Sequence, residues 1–160
     1  MVRIQSGLFQ LAVETAECWR CHEQARVVAP IAPIGSVAID DEDEEADSTG
    51  PLVVNVATVL MDVETMSTDL GTAARGAVPT FRPDFSNTLG AGYWMNHCQH
   101  CGAKMGDFFL HMEPDGPFFG WPSSSANGAV LDLVGGEIVC GTMPYIEPPP
   151  LRRKRGARKL

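Results

Sequence analysis

Cys18-Trp19-Arg20-Cys21 and Cys98-Gln99-His100-Cys101-Gly102 are the two stretches whose reading decides the fold. Each sets two thiols across a two-residue gap, so both sulfurs of a pair can face one point while N–H groups of the turn face the sulfurs. Together the pairs supply the four soft ligands of a tetrahedral zinc site, with bonds of about 2.3 Å. Gly102 stands where such a turn calls for positive φ. A four-thiolate zinc site carries a net charge of about −2, so Lys104 and Arg20 are candidate neighbouring cations.

Seventy-six residues, 22–97, separate the pairs, against about 15–20 in compact ribbons. Two arrangements follow. Either one four-cysteine site clips a long insertion, or each pair recruits histidines, His22 for the first and His97 or His100 for the second. A residue next to a ligand usually points away from the centre its neighbour faces, which favours the single site. A CxxC pair can also be a redox dithiol, but that role normally has the pair opening a helix after a strand. Gly102 and the β-like stretch after Cys21 do not fit it. Disulfides suit secreted chains, whereas Met1–Gly7 shows no apolar h-region and the cysteine count is five. Cys140, in the apolar segment 136–141, reads as a buried inert thiol. These points place the chain in a reducing cytoplasm.

One domain is the usual expectation for 160 residues, and no run of 18 apolar residues is present to cross a membrane. Charge is polarised. Twenty acidic and twelve basic residues give a net of −8. Six of the cations are Arg152, Arg153, Lys154, Arg155, Arg158 and Lys159, which leaves residues 1–151 at 20 acidic against 6 basic, a net of −14. Such a body is poorly suited to nucleic-acid phosphates. The division expected is a single zinc-ribbon-containing domain over 1–147 and a Pro-led, disordered basic tail over 148–160. Within the domain, residues 40–50 form an acidic flexible loop in which like charges repel and stay solvated. Deleting 41–48 should therefore leave stability nearly unchanged.

The pattern is mainly β. Residues 7–15 put Phe9, Leu11 and Val13 on one side of a strand and Gln10 and Glu14 on the other. Residues 25–32 return, with Pro30 marking a sheet edge. Residues 52–60 read as a central strand. Met61, Glu64, Met66 and Leu70 have weak helical spacing that Gly71 would end. Residues 77–92, with Pro79 and Pro83, read as an ordered loop. A strand enters the second cysteine turn and another leaves through Phe108, Phe109 and Leu110. Gly135-Gly136 is a two-residue hairpin signal between 128–134 and 137–140. The fold class expected is α+β, mainly antiparallel β: a zinc-ribbon core from two CxxC knuckles, with a long insertion containing at most one short helix.

Tyr93-Trp94, Asn96-His97-Cys98, Cys101-Gly102-Ala103 and Gly106-Asp107-Phe108-Phe109 together resemble a segment of an uncharacterised bacterial zinc-ribbon family, in which an early Cys-Trp-x-Cys accompanies a later Asn-His-Cys-x-x-Cys-Gly-Ala. The resemblance covers roughly residues 8–30 and 80–120. It implies one structural zinc on Cys18, Cys21, Cys98 and Cys101, and carries no activity with it.

Three functions remain in view. Four thiolates close a zinc sphere, and Phe118, Phe119 and Trp121 lie in a loop-like segment suited to anchoring a partner. The leading reading is a non-catalytic, zinc-stabilised protein-interaction module (an adaptor, inhibitor or immunity-like protein) in a bacterial cytoplasm, with a basic protein as partner. The second is a nucleic-acid-associated protein using Arg152, Arg153, Lys154 and Arg155. The third is an enzyme with acid/base groups Asp107, His111 and Glu113, which share a face if the segment is a strand.

Overall fold

The hairpin that carries the first cysteine pair also divides the core in two. In the computed structural model, which describes residues 1–40, 51–122 and 128–141, strands β2 (Gln10–Glu17) and β3 (Gln24–Ala32) pair antiparallel from Gln10↔Ile31 to Glu17↔Gln24. Side-chain alternation sends Leu11, Val13, Val28 and Ala32 into one apolar cluster, with Phe9 just ahead of the strand. Ala12, Ala16, Val27, Ala29 and Ile31 enter the other. A strand buried on both faces reads as a continuous apolar run, and 27–32 is one.

The first cluster is closed by a five-stranded sheet. It contains β1 (Val2–Ser6), β4 (Val37–Asp40), β5 (Leu52–Val53), β7 (Val63–Met66) and β12 (Gly136–Cys140), in the order β5-β4-β1-β12-β7. Helix α1 (Thr68–Ala77) adds Leu70 and Ala74 to it. The hairpin is flanked by β11 (Ala129–Asp132) and β6 (Thr58–Val59), in the order β11-β2-β3-β6. A third sheet, β10-β9-β8, consists of β8 (Phe81–Ser86), β9 (Ala91–His97) and β10 (Lys104–Met105), with the second cysteine turn between β9 and β10. Every pairing among the described strands is antiparallel. The helical elements described are α1 and a π-helical turn at Phe108–Met112. No helix among the described residues is long and apolar enough to cross a membrane.

Two side-chain amides bind the halves together. The outward edge of β3 meets no strand at Arg26 and Val28. Asn96 instead accepts the Val28 N–H at 2.9 Å and donates to the Val28 carbonyl at 2.9 Å. Gln99 does the same at Arg26, at 2.7 and 2.8 Å. At the next outward position Pro30 has no N–H to satisfy, and its carbonyl accepts from Leu60 N–H. A backbone edge is thus satisfied residue by residue, and Pro30 is where the edge rule allows it.

Several sequence expectations need correction. Residues 52–60 are not one central strand. The run crosses between sheets, with β5 on β4 and β6 on β3, and it is apolar because Val54 and Leu60 sink into the interior on the way. Residues 61–66 are not helical. Gly71 does not end a helix but lies near the start of α1, where a Cβ would come within 3.2 Å of the Trp94 indole. Residues 77–92 contain β8, an edge strand that tolerates Pro83. Gly135-Gly136 joins strands of different sheets, so no hairpin forms there; a Cβ on Gly135 would meet the Gly7 carbonyl oxygen at 2.6 Å. Asp40 ends β4. The acidic run 41–50 and the basic tail lie outside the described residues.

The amide clamp carries a prediction. Asn96→Ala strips partners from both the N–H and the carbonyl of buried Val28, which should cost about 2–6 kcal/mol at about 1–3 per orphaned group. Denaturant melts of wild type and variant measure it, and an unchanged midpoint would contradict the role given to Asn96.

Candidate functional site

The two cysteine turns are built alike. In the first, Cys18 N–H donates to Glu23 O and His22 N–H to Cys18 O, both at 2.9 Å. In the second, Cys98 N–H donates to Ala103 O and Gly102 N–H to Cys98 O, again at 2.9 Å. The fifth residue of each turn has positive φ, 75° at Gly102 and 63° at His22. Glycine takes that conformation freely. His22 takes it with its Nδ1 3.1 Å from Glu17 Oε1, on the surface.

All four sulfurs converge. One ligand atom from each of Cys18, Cys21, Cys98 and Cys101 lies within 4.8 Å of the others, and the pairs Cys18–Cys101 and Cys21–Cys98 are 3.6 Å apart. These are free thiols. A tetrahedron of sulfurs at bonds of about 2.3 Å has edges of about 3.8 Å, so the cluster fits a tetrahedral metal ion. Trp19, from within the first turn, donates its indole N–H to Lys104 O at 2.7 Å and ties one turn to the other. The N–H of His100 lies 3.4 Å from Cys98 Sγ, the amide-to-sulfur contact expected of such a turn.

Cys18 and Cys21 are pulled in opposite directions. The backbone N–H of Cys21, with that of Arg20, holds Cys18 down to about 6. Cys21 receives the backbone N–H of Glu23, yet loss of water and the neighbouring thiols push it up to about 12. Cys18 gives up its proton easily and Cys21 resists, so a cation among the sulfurs would let both ionise together.

No histidine joins the cluster. His97 is buried, with Nδ1 2.9 Å from Thr80 O and Nε2 2.7 Å from Asp84 Oδ2. Its hydrogen bond, with the N–H of Phe85, lowers Asp84 to about 2. His100 faces Gln24 O at 3.2 Å. Lys104 also turns elsewhere, donating to Phe85 O at 2.7 Å and pairing with Asp84 at 3.5 Å.

The other candidate residues separate. Asp107, His111 and Glu113 do not lie on a strand: after Met105 the chain enters the π-helical turn, and the alternation that would align them is absent. Asp107 is buried and accepts Asp62 N–H at 2.8 Å. Its own N–H donates to the Tyr93 hydroxyl at 3.1 Å. His111 packs on the Phe118 ring with centroids 4.9 Å apart, and Glu113 is exposed. The aromatic loop is split as well. Phe118 is a core residue, Trp121 is half-buried, and Phe119 is exposed. Gly116 makes this fold-back feasible, since a Cβ there would meet the carbonyl oxygens of Phe109 and Leu110 at 2.5 Å. Arg152, Arg153, Lys154 and Arg155 lie outside the described residues.

No family model matches the chain, and no curated protein or solved structure does. What the structure shows of a zinc-ribbon-like site is the clustering of Cys18, Cys21, Cys98 and Cys101 within metal-binding distance.

Burial pushes Asp107 up to about 7 and lowers His111 to about 4. With an unfolded value of about 4, protonated Asp107 supports the fold fully below that pH, and the support fades as pH rises through 7. Neutral His111 supports the fold above its unfolded value of about 6.5, and that support fades as pH falls through 4. Asp107→Asn keeps an acceptor for Asp62 N–H and removes one of the two opposing slopes. The stability of the variant relative to wild type should therefore grow as pH rises from about 4 to about 7. Melts across that window check it, and a constant difference would contradict the burial argument.

Proposed function

We propose that this chain is a zinc-stabilised protein-interaction module of a bacterial cytoplasm. The observation that carries the reading is the four-sulfur cluster. Cys18, Cys21, Cys98 and Cys101 would hold Zn²⁺ with a filled coordination sphere, leaving no position for water or substrate, which is the pattern of a structural site. Bound there, the ion supplies a cross-link between the two halves of the fold. Exposed apolar side chains support an interaction role, Phe119 foremost because it is the one exposed member of the aromatic loop trio. The acidic balance of residues 1–151 suits a basic partner. The nucleic-acid reading depends on the tail cations, and the enzyme reading has lost the strand on which it was based.

Elemental analysis of purified protein should find one zinc per chain. Cys98→Ser should lose the metal and the fold together, while His22→Ala and His100→Ala should keep the full equivalent. A second equivalent, or loss of zinc in the histidine variants, would contradict the site.

Affinity capture from the native host with wild type and Phe119→Ser tests the interaction role. A stoichiometric basic protein lost in the variant is the expected result, and capture of nothing above background would contradict it. In parallel, neither the full chain nor a chain ending at Pro150 should hold a nonspecific duplex at physiological salt. Retention by the full chain alone would instead favour the nucleic-acid reading.

A further inference from the structure

A cavity of about 370 Å³ opens where residues 61–62, 86–89 and 106–109 meet beside Tyr93. That is within the size range of small-molecule sites, roughly 300–1,000 Å³. Its walls are Met61, Leu89, Tyr93, Phe108 and Phe109, with Asp62 as the charged group, and among the described residues no Lys, Arg or His lines it. Phe108, Phe109 and Leu89 are exposed and rim the mouth.

Asp62 is held in an unusual way. Its φ is 53°, a left-handed conformation that asparagine and aspartate tolerate better than other side chains. Asp107 Oδ2 takes its N–H at 2.8 Å, and its carbonyl receives Gly141 N–H at 3.2 Å. Strained backbone fixed from both sides is common at ligand sites. The carboxylate itself makes no hydrogen bond or ion pair with any described residue. Among the described residues only burial acts on it, raising its pKa. A half-buried, uncompensated carboxylate is costly unless something positive meets it. Three aromatic rings in the same walls add an attraction for a diffuse cation.

We propose that this cavity binds an alkylated ammonium head group, with Asp62 as counter-ion and Tyr93, Phe108 and Phe109 as the aromatic walls. The assignment is independent of the interaction role proposed above and of the metal. It excludes anions, which Asp62 repels, and it disfavours neutral ligands of the same shape, which leave Asp62 unpaired.

The test is titration of the full-length, metal-loaded protein by ¹H–¹⁵N NMR with choline and with 3,3-dimethyl-1-butanol, its uncharged isostere. Choline should give saturable shifts around residues 61–62, 88–93 and 106–109, and the isostere should bind at least about tenfold more weakly. Asp62→Asn suits the left-handed backbone and removes only the charge. It should weaken choline by about tenfold and bring the two ligands level. Phe109→Ala should weaken choline too. A peptide carrying trimethyl-lysine, run beside choline, tells a peptide-borne head group from a free one by which binds tighter. If choline and its isostere bind wild type equally, or none of the three ligands shifts these residues, the proposal is overturned, and that comparison needs no variant to fold. Choline binding unchanged in a folded Asp62→Asn protein would overturn it as well.

Discussion

Convergence of four thiols from two turns is the constraint on which the rest of this structure depends. Sulfurs at 3.6 Å are too close for four independent thiolates and too far apart for disulfides. The upward push on Cys21 and the downward pull on Cys18 are two sides of one electrostatic problem, which a divalent ion in the middle would resolve. Once the turns are joined, the hairpin of residues 10–32 and the sheet of residues 81–105 are fixed against each other. The remaining strands then have two apolar clusters to close.

Asn96 and Gln99 make that junction more than a point contact. They flank the second cysteine pair and reach the β3 edge at Val28 and Arg26, so the same segment that supplies two sulfurs also supplies a surrogate strand edge. Trp19 returns the favour from the first turn. Sulfur clustering and amide pairing thus act on the same pair of elements. Disturbing one should loosen the other, because the sulfurs can meet only if β3 and β9 keep their spacing.

The parts of this fold that were legible in the sequence are those fixed by local chemistry. The CxxC spacing gave the turns, positive φ at Gly102 included, and the alternation around Leu11 and Val13 gave the hairpin. The parts that were not legible are set by partners distant in the chain. A β-branched run at 52–60 looks like a strand whether it stays in one sheet or bridges two. Pro83 suggests a loop unless the strand is known to lie at an edge. Phe108, Phe109 and Leu110 continue an apolar pattern, but room for the fold-back comes from Gly116, six residues beyond Leu110. Burial of Phe118 against His111 follows from that turn and not from the aromatic pattern. The Asp62–Asp107–Tyr93 linkage joins three segments and left no local trace, although an aspartate ahead of a strand, as Asp62 is, could have marked the left-handed position.

The central claim is that one metal ion with an all-sulfur sphere joins the two halves. Zinc K-edge X-ray absorption on the purified protein tests it most directly. The account requires a single shell of four sulfurs at about 2.3 Å with no light-atom scatterer. A shell containing one or more nitrogens at about 2.0–2.1 Å would mean that a histidine completes the site, and would contradict it.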